Sequence, residues 1–266
     1  MIGKGYILNH KWFEKKDDFK ENRANAVYEV IRIINGESLF LEDHIDRLKK
    51  SLCSLDLRYK INEKQLNSDI EMLIKRNEVL NNNFKIEYWI QEFELNMQIY
   101  LIESSYPTDN MIYNGVDVIS AEIERENPND KIYRVDYKNE IKNIIEKENV
   151  FEVLLINSSG LITEGSRSNF FYLINKVIYT SSNEHILSGV TRNNVVKCIK
   201  KLGIKIVYDN IAKQNIDNIE AAFLTGTSIN ILPIKKVNST KLESGNNDII
   251  KKLIREFDLY RENSMK

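Results

Sequence analysis

The sequence predicts an α+β fold of mixed α/β character in two lobes: a smaller N-terminal α/β domain over 1–110 and a larger, β-rich C-terminal domain with helices over 111–266. Three observations carry this. Runs rich in Val, Ile, Tyr and Phe alternate with segments of helical period along the chain. The pattern lapses once, between Ser104 and Asn114 around Pro107, and the boundary is placed there. Only 10 Gly and 3 Pro occur in 266 residues, so linker-like or collagen-like stretches are excluded and the length suffices for a buried core.

Taken in order, AVYEVIRII (26–34) reads as a strand, and Asn35-Gly36 as the turn of a hairpin whose second arm is SLFL (38–41). In EDHIDRLKKSLCSL, Ile45, Leu48, Leu52 and Leu55 recur at helical spacing behind an acidic first turn. A second helix is expected from about Asn62 to Leu80, entered through Asn62 and Gln65 at capping-box spacing. FKIEYWIQEF and LNMQIYLIES form the next hairpin. Beyond the boundary come strand GVDVISAEI, a helix around 137–148, strand FEVLLI, turn NSSG, and strands SNFFYLI and KVIYTS. Helix TRNNVVKCIKKL then runs to Gly203, followed by strands IKIVY, AAFLTG and INILPI and a last helix from about Asn246.

Composition narrows the function. With 38 Lys+Arg against 39 Asp+Glu there is no global field to hold a polyanion, so no nucleic-acid partner is expected. Cys53 and Cys198 are too far apart in the chain for a zinc knuckle or redox pair, which fits a reducing, cytoplasmic compartment. The opening residues lack the apolar stretch of a secretory leader, and no apolar run is long enough to span a bilayer, so no membrane partner is expected. Phosphate-loop, zincin, serine-hydrolase and dinucleotide signatures are all absent, and His10, His44 and His185 share no ligand spacing, so no metal site is expected.

Three short Ser/Thr-rich strings each hold a glycine. In LSGVTR (187–192), Gly189 precedes a helix starting near Val190 or Thr191, whose unpaired first amides and hydroxyl make a phosphate cradle; the plain alternative is an ordinary cap and turn. LTGTS (224–228) sets Gly226, Thr227 and Ser228 at a strand end, where a ligand can approach the backbone. In TEGSRSN (163–169), Glu164 is read at a hairpin tip beside Ser166, Ser168 and Asn169, either as a site acid or as a solvated turn carboxylate.

Taken together and in order with VYEVIRIINGESLFLEDHIDRLKKS, these strings resemble the class IV aminotransferases, the fold-type IV enzymes that use pyridoxal 5'-phosphate, over residues 26 to 237. That family includes branched-chain and D-amino-acid aminotransferases and aminodeoxychorismate lyases. The resemblance implies that Arg47, in the H-x-x-R-L string, binds the cofactor phosphate, with Gly189, Val190, Thr191, Gly226 and Thr227 as further donors. It implies that Glu164 pairs with the pyridine nitrogen beside Ser168 and Asn169, and that Leu187 packs on the ring. Tyr28 and Ser228 would face the substrate.

The Schiff-base lysine has two candidates. Gapless alignment puts it at Lys131, 33 residues before Glu164, with Arg125 and Pro128 resembling the family's approach and Arg134 replacing its usual Asn. Lys138 in VDYKN resembles the local string but shortens the interval to 26 residues, deleting about two helical turns. Lys131 is preferred. IEYWIQEFELNMQIYLIES lacks the arginine that both named aminotransferases carry there. The resemblance implies small-molecule amino acid and oxo acid substrates and a homodimer. It leaves open a transaminase, a 4-amino-4-deoxychorismate lyase, or a member with little turnover.

Overall fold

The computed structural model describes residues 2–15, 19–54, 61–125 and 127–265. The chain divides into two compact units: Met1–Ser105 with Asp130–Val135 and Ser264–Lys266, and Tyr106–Asn129 with Asp136–Asn263. The division expected near residue 110 is thus drawn after Ser105, and one later segment is grouped with the first unit. The reason is local pairing. Val27 bridges Ile132, Tyr28 N donates to Lys131 O, and Tyr133 N donates to Ala26 O, each backbone bond at 2.9 Å.

The first unit holds strands β1 (Gly5–Leu8), β2 (Lys11–Glu14), β3 (Val27–Ile34) and β4 (Glu37–Ser38), helices α1 (Leu41–Ser54) and α2 (Glu63–Asn77), then β5 (Asn82–Gln91) and β6 (Glu94–Ile102). The strands form one antiparallel sheet in the order β2-β1-β6-β5-β3-β4. Strict alternation along β3 buries Val27, Ile31 and Ile33 on one face, where they join Ile45, Leu48 and Leu52 of α1 and Leu66, Ile70 and Leu73 of α2 in a single core. Leu55, expected in the α1 stripe, lies outside the described residues. Asn62 caps α2 by accepting from Gln65 N, and the helix stops at Asn77 because Glu78 turns left-handed and returns its N–H to Ile74 O. The Asn35-Gly36 turn has φ of 53° and 83°, as a tight hairpin turn requires, but its second arm is only Glu37–Ser38. The β1–β2 hairpin has no counterpart in the sequence expectation.

The second unit comprises α3 (Asp109–Asn114), β7 (Val116–Ala121), α4 (Val135–Glu148), β8 (Glu152–Ile156), β9 (Leu161–Gly165), β10 (Asn169–Ile174), β11 (Val177–Thr180), α5 (Val190–Lys201), β12 (Ile206–Tyr208), β13 (Ile211–Ala212), β14 (Ala221–Gly226), β15 (Asn230–Val237), β16 (Thr240–Lys241) and α6 (Asp248–Asn263). Its mixed sheet runs β12-β11-β10-β14-β15-β7-β8-β9-β13, with β16 on β15. Pairings β11–β12, β15–β7 and β7–β8 are parallel. Leu154, Ile156, Phe170, Leu224, Leu232 and Ile234 form the main core of this unit, and Ile141, Val153 and Leu155 form a smaller one with residues of α4. The register Asn169↔Thr225 between β10 and β14 brings the TEGSRSN and LTGTS strings side by side.

Candidate active site

In the second unit, Glu164 lies inside β9 and is 2% exposed, which corrects its reading as a hairpin-tip carboxylate. Its placement comes from a bulge. Leu154 pairs Gly165 and Ile156 pairs Ile162, so β9 fits three residue steps against two of β8, and the extra residue falls at Thr163–Glu164. A bulge of this kind re-aims a side chain away from the regular alternation. Glu164 Oε2 accepts from Leu187 N at 3.2 Å and from Asn169 Nδ2 at 3.2 Å, while Oε1 faces Arg125 Nη1 at 3.4 Å. Asn169 Nδ2 also donates to Leu187 O at 2.9 Å, so one amide ties the carboxylate to the loop before α5.

That loop ends at Gly189, the N-cap of α5, with Val190 and Thr191 opening the helix. Glycine is required there by close approach: a Cβ would stand 2.0 Å from Asn169 Oδ1. The first-turn amides have no acceptor within the helix, which makes the helix start an anion-binding end. Thr225, beside Asn169, is buried and its Oγ1 has no hydrogen-bond partner among the described residues. Thr225 belongs to the LTGTS string, and the residues expected to bind from that string, Gly226, Thr227 and Ser228, lie partly exposed beyond it.

Ser168, expected among the cofactor-binding residues, gives its hydroxyl to Glu152 Oε2 at 3.1 Å. Arg125 and Tyr137 were not assigned roles by the sequence. Arg125 Nη2 donates to Ser166 O at 2.7 Å and Tyr137 OH donates to the same oxygen at 2.9 Å. Burial pushes the Tyr137 phenol up to about 12, with the Arg125 cation opposing, so it stays a donor at neutral pH.

In the first unit, Tyr28, Arg47 and Lys131 are drawn together. Lys131 O accepts from Tyr28 N, Lys131 N donates to Ser51 Oγ at 3.3 Å, and Lys131 Nζ stands 4.8 Å from the Tyr28 ring centre. Lys85 Nζ lies 4.6 Å from the same ring and 4.4 Å from that of Tyr133, in a buried ion pair with Glu87. Arg47 grips Glu29 of β3 with two bonds, Nε to Oε1 at 2.6 Å and Nη2 to Oε2 at 2.7 Å, and His44 Nδ1 sits 2.8 Å from Oε2. Burial works to raise the Glu29 carboxyl, but Arg47 and then His44 outweigh it and hold it well below the carboxylate range. Burial pushes the His44 imidazole down; Glu29 opposes this, while the cations of Arg47 and Lys131 add to it. Lys138, the other lysine candidate, lies on α4 in the second unit.

Among the described residues no helix is long and apolar enough to cross a membrane, and no group of three or more His, Cys, Asp or Glu could hold a metal ion. The fold and these two sets of residues can be set beside known proteins. The family model of amino-transferase class IV matches residues 26–237. The chain is 27% identical over 233 residues to a D-alanine aminotransferase of Bacillus licheniformis, covering 84% of this chain and 82% of that protein. A branched-chain amino acid aminotransferase of Escherichia coli shares the fold at a TM-score of 0.86 and 16% identity, over 100% of this chain and 97% of that one. A PLP-bound hypothetical aminotransferase from Mycobacterium tuberculosis shares it at 0.82 and 13% identity, over 97% and 99% of the two chains. The protein is an enzyme of the aminotransferase class. It belongs to the class IV aminotransferase family.

Proposed function

We propose that this enzyme uses pyridoxal 5'-phosphate to move an amino group between an amino acid and a 2-oxo acid. The observation that carries the reading is Glu164: a buried acid in a bulge, with two donors on one oxygen and a guanidinium facing the other, which fix its orientation. Such a carboxylate is suited to holding a proton on a ring nitrogen. Within the second unit the first-turn amides of Val190 and Thr191, the Thr227 hydroxyl and the Thr225 hydroxyl, which has no hydrogen-bond partner among the described residues, suit a phosphate; the family resemblance would add the Arg47 guanidinium, which here grips Glu29. When bound, the pyridoxal ring supplies an electron sink for the pair left at the substrate Cα.

In this proposal Lys131 Nζ would hold the cofactor through its aldehyde carbon, and as a free amine would take the substrate Cα proton and return it. The backbone bonds of Lys131 to Tyr28 and Ser51 fix the root of that side chain. By the same resemblance Leu187 would offer an apolar face to the ring, and Tyr28 and Ser228 would be substrate-side residues. A homodimer and a cytoplasmic location belong to the same proposal. The test is borohydride reduction after cofactor addition, followed by peptide mapping. A pyridoxyl group on Lys131 is expected; one on Lys138 overturns the choice of lysine, and none overturns the cofactor reading. A panel of amino donors with pyruvate or 2-oxoglutarate then reads the substrate class. Pyruvate release from aminodeoxychorismate without a second oxo acid would replace transamination by lyase chemistry.

A further inference from the structure

Glu152 on β8 is fully buried and lies outside the ring-nitrogen and phosphate sets, yet its carboxylate is saturated. Oε1 accepts from the Ser166 hydroxyl and from Val153 N at 3.1 Å; Oε2 accepts from the Ser168 hydroxyl at 3.1 Å and stands 3.5 Å from Arg167 Nε. All three side-chain partners belong to the short turn joining β9 to β10. A buried carboxyl group is tolerated when its acceptor positions are filled, as they are here.

We propose that Glu152 is a positioning residue for Glu164, a role that rests on the cofactor reading above. The bulge at Thr163–Glu164 breaks the β8–β9 ladder at the residue whose aim matters, so sheet pairing alone does not fix it. The turn beyond the bulge is clamped from two sides. Glu152 takes both serine hydroxyls, Val153 O takes Ser166 N at 2.8 Å, and Arg125 and Tyr137 hold Ser166 O. The clamped turn is flanked by Glu164, the last residue but one of β9, and Asn169, the first of β10, which are hydrogen-bonded to each other. A shift of the turn therefore moves both the acid and the amide that orients it.

The test compares wild type, Glu152→Gln and Glu164→Gln. The glutamine keeps the volume but turns an amide N–H2 toward Arg167 or a serine hydroxyl. Three readouts are taken: apoprotein melting, equilibrium binding of pyridoxal 5'-phosphate, and the pH midpoint of the bound cofactor's absorption. The expected result is a folded Glu152→Gln apoprotein whose cofactor Kd rises about tenfold, as for loss of an orienting partner behind a ligand. Its absorption midpoint moves from wild type toward that of Glu164→Gln. A role in packing alone leaves the midpoint at the wild-type value, and that result overturns the proposal. If Glu152→Gln does not fold, Ser168→Ala removes one donor and keeps the charge; a smaller move of the midpoint in the same direction is expected, and no move overturns the proposal. A wild-type protein that binds no pyridoxal phosphate overturns the cofactor reading itself, and the positioning role with it.

Discussion

Arg47→Met isolates what the buried Glu29 carboxylate needs. In the wild type Glu29 is fully buried, Arg47 meets it with two bonds of 2.6 and 2.7 Å, and His44 lies 2.8 Å away. Removing one partner of such a pair leaves an uncompensated buried charge, at a cost of about 3–5 kcal/mol. The remaining neighbour can recover part of this. Without the Arg47 cation, His44 keeps Glu29 and loses one cause of its depression, so its folded pKa moves back toward the unfolded value, and each unit regained is worth about 1.4 kcal/mol. The pH dependence then differs between the two proteins. In the wild type the depressed Glu29 contributes stability above its unfolded pKa, lost as pH falls through the folded value, and the depressed His44 lets the unfolded state gain as pH falls below its unfolded value of about 6.5. In the variant His44 is less depressed, so the unfolded state gains less as pH falls below that value. Urea unfolding of the apoprotein, followed by tryptophan fluorescence, reads this directly, because Trp12 and Trp89 are the two tryptophans of the chain and both lie in the first unit. The variant penalty is expected to be smaller at about pH 5.5 than at about pH 8.5. A penalty below about 1 kcal/mol, the size of an exposed pair, or one equal at both pH values refutes the reasoning.

Lys85→Met strands Glu87 in the same way and is expected to cost about 3–5 kcal/mol in the same fluorescence transition. Gly189→Ala drives a methyl into Asn169 Oδ1, so Asn169 must release Glu164; pyridoxal-phosphate titration is expected to show weaker binding, with about 1–3 kcal/mol lost in stability. Burial, reinforced by Glu256 and opposed by Lys201 and Lys197, pushes the Cys198 thiol up to about 11, whereas Cys53 is exposed. Iodoacetamide at neutral pH followed by mass spectrometry should therefore mark Cys53 and spare Cys198.

How far the sequence could be read depended on whether the determining contacts were near in the chain. Helices α1 and α2 and the β5–β6 hairpin were legible because period, cap and turn all lie within a few residues of one another. The β1–β2 hairpin was not, since its two arms have four residues each and neither is long enough to show a period. β9 is hidden for a different reason: its bulge destroys alternation, every residue from Ile162 to Gly165 is buried, and a string of Thr, Glu and Gly then looks like a solvated turn. The same holds for the chemistry. The three glycine-bearing strings could be found one by one, but what joins them is Asn169, reaching Leu187 across 18 residues and Glu164 across five, and no local pattern announces such an amide. Glu152 is the extreme case. Within FEVLLI it is one polar residue in an apolar strand, and only its hydroxyl donors 14 and 16 residues further on give it meaning. Buried carboxylates in this fold thus take their roles from donors supplied by other elements, and the donors must be located before the acid can be assigned one.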